Sequence, residues 1–446
     1  MGRHARFLFR SLEDVEAKAR ELGLDLPVSK DIGLLFRPGE VAGRKLANRL
    51  AIHPMEGADA DERGGPGDLT FRRYERFGAG GCGLIWFEAA AVAPDGRSNP
   101  RQLLLDGRNA DGFRRLVDRT RQAAAGTSPK RNPLLVLQMT HSGRFSRPGG
   151  SPAPVITRPI PALDELFGLR ADHPVLSDEA LDRLQDDFVR GAEIASAAGF
   201  DAVDVKACHG YLVSELLGAS TREGRYGGPF ENRSRFLRET VGRIRDRLPG
   251  ILVTVRFNAA DALPGPFGFG SDPADPAKEN WAEAKALARA LFESGAGLVN
   301  VTMGIPHLQP HFGRPFNRPV RGGAIPEEHP LEGVARLVRA AADVQGAVPS
   351  LPVVGTGYSW LRQFAPFVAA GVLERKGAAL IGFGRMAFAY PDFASDLEGK
   401  GAFDPRKVCL ACSGCTDLSR AGRPAGCIVR DRAVYPPPLF PRSEPR

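Results

Sequence analysis

Short apolar runs recur along the chain, separated by amphipathic stretches, and their rhythm predicts the architecture. Residues 50–53, 83–87 (GLIWF), 133–138 (PLLVLQ), 201–205 (DAVDV), 251–256 (ILVTVR), 298–302, 351–354 and 378–382 each read as a strand. They are rich in Val, Ile and Leu and largely apolar rather than alternating, the pattern of strands buried on both faces of a parallel sheet. Helical stretches fall between them at 69–79, 111–124, 177–198, 233–247, 279–294, 331–342 and 360–370. An α/β chain of this kind predicts a (β/α)8 TIM barrel. A doubly wound open sheet is the rival, and the count of eight strands favours closure.

Ahead of the barrel, residues 11–23 (SLEDVEAKARELG) predict an amphipathic helix with Ser11 at its N-cap. Residues 33–50 read as short strands and turns lying across the barrel bottom. The predicted organisation is an N-terminal helical extension over 1–32, a barrel over 33–398 and a Cys-rich tail over 399–446. Gly78, Gly80 and Gly83 spell G-x-G-x-x-G, but they end a helix and enter a strand. A dinucleotide fingerprint needs the reverse order.

Composition narrows the function classes. The 446 residues carry a net charge of +8, spread along the length without a basic block, which argues against a nucleic-acid binder. Such a surface suits an acidic redox partner or an anionic cofactor. No stretch of about 18 apolar residues is present to span a membrane, and the N-terminus lacks a signal-type core. A cytoplasmic protein is expected, with homo-oligomer formation left open.

Cys82 and Cys208 stand alone, whereas Cys409, Cys412, Cys415 and Cys427 crowd the tail as C-x2-C-x2-C-x11-C. Three cysteines at steps of three can take three corners of a cubane, and the fourth arrives from a later turn, so a [4Fe–4S] cluster is the leading ligand. Zinc is the alternative, although its sites usually show two separated pairs and no His lies near.

Strand C-termini of a barrel converge on one site. They carry His53-Pro54-Met55-Glu56-Gly57, then Glu88, then Gln138 with His141 and Arg144 beyond, then Lys206 and His209. Arg256, Thr302 with His307 after it, Gly355-Thr356-Gly357 and Gly382-Phe383-Gly384-Arg385 complete the set. Glycines at the last two ends let backbone N–H groups approach an anion, and Arg385 adds a forked donor. A phosphate is expected there unless the glycines only turn the chain.

Five pieces point further: Asn48-Arg49-Leu50 with Pro54-Met55, QMTHSGR at 138–144, HGYL at 209–212, RYGGPFENRSRF at 225–236, and the tail CLACSGC…GRPAGC. On these the chain resembles the old yellow enzyme superfamily of NADH:flavin oxidoreductases. The likeness is to the branch with 2,4-dienoyl-CoA reductase, enoate reductase and trimethylamine dehydrogenase, whose members carry a C-terminal iron–sulfur motif. The resemblance implies FMN at the barrel mouth. Pro54 and Met55 would lie near flavin N5 with Glu88 close by, Gln138 on the pyrimidine edge, and Arg256 near N1 and C2=O. Gly355, Thr356, Gly357, Gly384 and Arg385 would hold the phosphate. A fixed guanidinium beside N1 stabilises the negative charge that develops on reduction.

By the same resemblance, Lys206 and His209 occupy the positions that hold the substrate's electron-withdrawing oxygen, Lys206 departing from the His or Tyr common there. Tyr211 matches the proton donor of the dienoyl-CoA branch. His307, with His311 as competitor, matches its second acid. The tail cysteines match the ligands of a [4Fe–4S] cluster. What is expected is an FMN-dependent ene-reductase acting on an enone, an enoate, or a dienoyl or enoyl thioester. Relatives in that branch carry a further FAD- or ADP-binding region, and this sequence ends at Arg446. A ferredoxin or flavoprotein is therefore the expected electron donor, with NAD(P)H as the direct route. The alternatives are a flavin/iron–sulfur dehydrogenase oxidising an amine or saturated substrate and, from another class, a non-redox barrel lyase or binding protein with a zinc tail.

Overall fold

A computed structural model of the chain describes residues 4–128, 131–272, 275, 278 and 280–437. Eight strands, β1 (Leu50–Ile52), β2 (Leu84–Ala91), β3 (Leu134–Thr140), β4 (Ala202–Val205), β5 (Leu252–Asn258), β6 (Leu298–Thr302), β7 (Val353–Gly355) and β8 (Leu380–Phe383), form a closed barrel. Neighbours pair in chain order, all parallel, and β8 returns to β1. Each strand is buried along its whole length, which is why the runs read as continuous apolar segments.

Helices α1 (Asp68–Ala79), α2 (Ala110–Thr127), α3 (Asp178–Ala197), α4 (Arg235–Arg247), α5 (Ala282–Ser294), α6 (Pro330–Ala347), α7 (Ala365–Glu374) and α8 (Phe393–Lys400) follow their strands. Helix α7 starts at Ala365 rather than 360, because Tyr358–Phe364 is a 3₁₀ stretch and Pro366 sits in the first α-helical turn, where its missing N–H costs no helical bond. Residue 279, expected to open α5, lies outside the described residues, as do 1–3 and 438–446 of the expected extensions.

The barrel interior is layered by the period-two alternation of its strands. The lower layer is apolar: Ala51, Leu84, Trp86, Leu134, Val136, Ala202, Leu252, Leu298, Val354 and Leu380 form one buried cluster. Val41 and Leu46, from the hairpin Gly39–Val41/Arg44–Leu46, join that cluster and close the barrel bottom. One alternation further up, six of the strands turn polar at His53, Glu88, Gln138, Asp204, Thr254 and Asn300, and Arg256 stands one step higher, all of them buried.

Both ends of the chain pack on this frame. Ser11 caps helix Leu12–Glu21 by accepting from Asp14 N at 3.2 Å, and Phe7 sets its ring edge-on to Trp360 with centroids 5.3 Å apart. In the tail, Val408, Cys409, Ala411 and Ala425 enter the main core. Ala425 N donates to Gly57 O at 2.7 Å, and Asn317 N donates to Ala411 O at 3.0 Å. Among the described residues no helix is long and apolar enough to cross a membrane.

Candidate active site

Directly above the polar layer opens a concave cavity, the place where a barrel of this kind receives a cofactor or small molecule. Of the expected cofactor residues, Pro54, Met55, Arg256, Thr356, Gly357, Gly384 and Arg385 line it, and so does His209. Gln138, Glu88 and Gly355 stand behind the wall.

The floor is a closed hydrogen-bond ring. Asn300 Nδ2 donates to His53 Nδ1 at 2.8 Å, His53 Nε2 donates to Thr356 Oγ1 at 3.2 Å, and Thr356 Oγ1 donates to Asn300 Oδ1 at 3.3 Å. Burial, followed by the Arg256 charge, holds the His53 pKa well below its ordinary value, which keeps the ring neutral. The ring exists because residue 382 is glycine: a Cβ there would collide with the His53 imidazole. Gly382→Ala is therefore expected to lower stability by about 1–3 kcal/mol through overpacking. Thermal unfolding should show it, and adding His53→Ala should recover part of the loss.

Gln138 reaches the cavity only by way of Asp204. Its Nε2 donates to Asp204 Oδ2 at 2.6 Å, beside Trp86 Nε1 at 3.0 Å, while Asp204 Oδ1 accepts from Arg256 N at 2.6 Å. The Gln138 carbonyl is thereby left as the free end of the amide. Glu88 sits beneath Gly57, whose N–H it accepts at 2.7 Å. It shares Arg73 with Asp59 in a buried triad: Arg73 Nη1 lies 2.5 Å from Asp59 Oδ2, and Nη2 bonds Glu88. Gly57 is required there too, since a Cβ would strike that guanidinium.

Around the cavity three guanidiniums keep buried N–H groups without a protein acceptor: Arg256 Nε, and, close to one another, Arg385 Nη1 and Arg314 Nε and Nη2. Burial, then the neighbouring Arg385 charge, lowers Arg314 to about 10. Two buried like charges beside Gly357 and Gly384 call for an anion between them. A group with a phosphate end and a planar body thus fits these residues, and FMN is such a group. Arg314 was not anticipated. It lies in the long loop after β6, where no periodicity marks it.

The residues expected on the substrate side gather after β4. His209 and Gly210 both adopt left-handed backbone, at φ +67° and +76°, a turn that costs His209 strain and is held by His209 N donating to Asn258 Oδ1 at 3.3 Å. His209 Nε2 lies 3.4 Å from Thr302 Oγ1, and burial, then Arg256 and Lys206, holds the imidazole pKa well below its ordinary value. Lys206 and Tyr211 stand beside the cavity rather than in its lining. They converge on a residue not singled out for a role, Glu56: Lys206 Nζ lies 3.3 Å from Glu56 Oε1, and Tyr211 OH donates to the same oxygen at 3.1 Å. His307 stacks on Phe145 at 4.3 Å, on the Tyr211 side of the loop. His311 faces away, toward Glu328 at 3.8 Å.

The four tail cysteines are free thiols lining one further, smaller cavity. Left-handed turns at Ala411 and Ser413 fold the Cys409–Cys415 loop around it. Two sulfurs already receive backbone donors, Cys409 from Ala411 N and Cys427 from Arg430 N, each at 3.3 Å. Among the described residues no three His, Cys, Asp or Glu side chains converge on a single metal-ion position. Arg385 lines both this cavity and the larger one.

The family model described as NADH:flavin oxidoreductase / NADH oxidase matches residues 34–297. A metal reductase of Desulforamulus reducens is 27% identical over 409 residues, covering 90% of this chain and 54% of that protein. An NADPH dehydrogenase of Listeria monocytogenes is 30% identical over 295 residues, covering 65% of this chain and 80% of the relative. Among solved structures, a 2-naphthoyl-CoA reductase complex superposes with TM-score 0.70 at 18% identity, covering 90% of this chain and 57% of that one. Histamine dehydrogenase from Rhizobium sp. 4-9 superposes with TM-score 0.68 at 20% identity, covering 90% and 52%. The chain spans about half the length of the metal reductase and of both these structures. With more than half of its residues under that family model, the chain belongs to the NADH:flavin oxidoreductase / NADH oxidase family and is an FMN-dependent oxidoreductase.

Proposed function

We propose that the protein reduces an activated C=C bond of a small unsaturated carbonyl compound, with electrons passing through a [4Fe–4S] cluster. The observation that carries the reading is the meeting of an ammonium, an imidazole and a phenol at the end of β4: Lys206, His209 and Tyr211. When bound, FMN supplies hydride chemistry and the cluster supplies single electrons. Pro54 and Met55 would support the flavin's body, the Gln138 carbonyl its pyrimidine edge, and Arg314, Arg385, Thr356, Gly357 and Gly384 its phosphate.

Lys206 has hydrogens left after bonding Glu56, and with a neutral His209 it can donate to a carbonyl oxygen and polarise the conjugated bond. Tyr211, whose phenol pKa burial and then Glu56 hold well above its usual value, keeps its proton until a carbanion develops beside it. His307 would close the mouth with Phe145. Cys409, Cys412, Cys415 and Cys427 would hold the cluster, a reading supported by thiols spaced round a cavity rather than meeting at a point. A ferredoxin, a flavoprotein or NAD(P)H would supply the electrons.

An anaerobic screen tests this. Dithionite-reduced, FMN-loaded protein should be reoxidised by an enone, enoate or dienoyl thioester, and the oxidised protein should not be bleached by amines. If amines bleach it and no unsaturated carbonyl reoxidises it, the direction is reversed. Protein without flavin colour and carrying zinc would end the redox reading altogether.

A further inference from the structure

Lys206 is 5% exposed, so its ammonium has lost most of its water, and a buried charge needs compensation from the protein. Two groups provide it. Glu56 Oε1 lies 3.3 Å away, and the Tyr211 ring centroid lies 3.4 Å from Nζ. The carboxylate is itself pinned at both oxygens, Oε1 by Tyr211 OH at 3.1 Å and Oε2 by Ser98 Oγ at 3.1 Å. A fixed carboxylate against an aromatic face is the chemistry that recognises an alkylammonium. In this protein that position is filled from within.

We propose that Lys206 is an internal ligand of a cation site built by Glu56 and Tyr211. It leaves the substrate side electrically balanced, so the enzyme selects neutral unsaturated carbonyls over both amines and free carboxylates. The choice of a carbonyl rests on the reductase reading, whereas the charge balance does not. An amine would have to displace an ammonium already tethered in place, whose effective concentration is on the order of millimolar or more. A carboxylate would meet an ammonium offset by Glu56 and the like charge of Glu56 itself. A neutral carbonyl displaces nothing, because Lys206 keeps donors to spare and His209 adds another. Of the other cations that act on His209, the Arg256 charge is offset in part by Asp204, and Arg314 stands beside Arg385 at the anion-binding end of the cavity.

Saturated probes separate binding from turnover: n-propylammonium, propionate and butan-2-one, titrated calorimetrically into FMN-loaded protein. Wild type is expected to bind butan-2-one at least about tenfold more tightly than either ion. Lys206→Ala should gain about tenfold or more for n-propylammonium, and adding Glu56→Gln should abolish the gain. Glu56→Gln alone should gain about tenfold for propionate. It retains a hydrogen-bonding partner for Lys206 and so carries the test even where Lys206→Ala fails to fold. Wild type binding an ion as tightly as the ketone, or substitutions that leave the order unchanged, would overturn the inference. Shifts as expected without enone reoxidation would remove the reductase reading and keep the charge balance. Enone reoxidation with unshifted affinities would remove the inference alone.

Discussion

In a Cys412→Ala variant, iron is expected to fall from about four atoms per chain to near zero, while flavin stays bound and the barrel stays folded. Cys412 is half-buried, so its loss leaves little unfilled space. Its sulfur would hold one corner of a cubane whose other ligands are fixed by the main core and by Arg430 N. A three-thiolate remnant lacks a ligand on one iron and exchanges with solvent. The FMN cavity shares only Arg385 with the cysteine pocket, which is why flavin retention separates this outcome from misfolding. Iron analysis and absorbance of anaerobically purified protein decide it. Unchanged iron in the variant would remove the assignment of Cys412 as a ligand.

Arg73→Met is expected to cost about 3–5 kcal/mol, because it strands Asp59 and Glu88 as buried carboxylates without their cation. Arg73, Asp59 and Glu88 have side chains 4%, 2% and 2% exposed, so water cannot substitute. The pH dependence gives the sign. Burial pushes the Asp59 pKa up, but Arg73 brings it below the ordinary value. In wild type its contribution is therefore present above the usual aspartate range and lost as pH falls through the folded value. Burial raises Glu88 even with Arg73 beside it, and that contribution runs the other way, lost as pH rises. Without the guanidinium both carboxyls are raised, so the variant should be more stable at pH 5 than at pH 8. Urea melts at the two pH values check this. Adding Asp59→Asn and Glu88→Gln should restore most of the stability.

The barrel was legible because its strands are buried on both faces, so apolar runs such as 83–87 and 251–256 announce them without a turn motif. The polar upper layer was legible too, once strand ends were considered jointly: Arg256, Thr356 and Arg385 do line the cavity. Glu56 was not. It was seen as part of the first strand end, but only barrel closure brings that end against Lys206 and Tyr211, about 150 residues later in the chain. Gly355 and Gly382 were read as anion-binding or turning positions. The structure adds a packing reason for each, the Tyr358 hydroxyl and the His53 ring. Arg314 depended on where a long loop folds, which local pattern does not encode.

The backbone bond from Ala425 to Gly57 joins the tail to the loop beside the flavin cavity, while the same Gly57 donates to Glu88. The cysteine segment is consequently not a detachable cassette. Excising it, or grafting another in its place, would leave the Gly57 carbonyl without its partner and loosen the loop carrying Pro54, Met55 and Glu56. Engineers who want this enzyme without its tail thiols would do better to substitute the cysteines than to shorten the polypeptide.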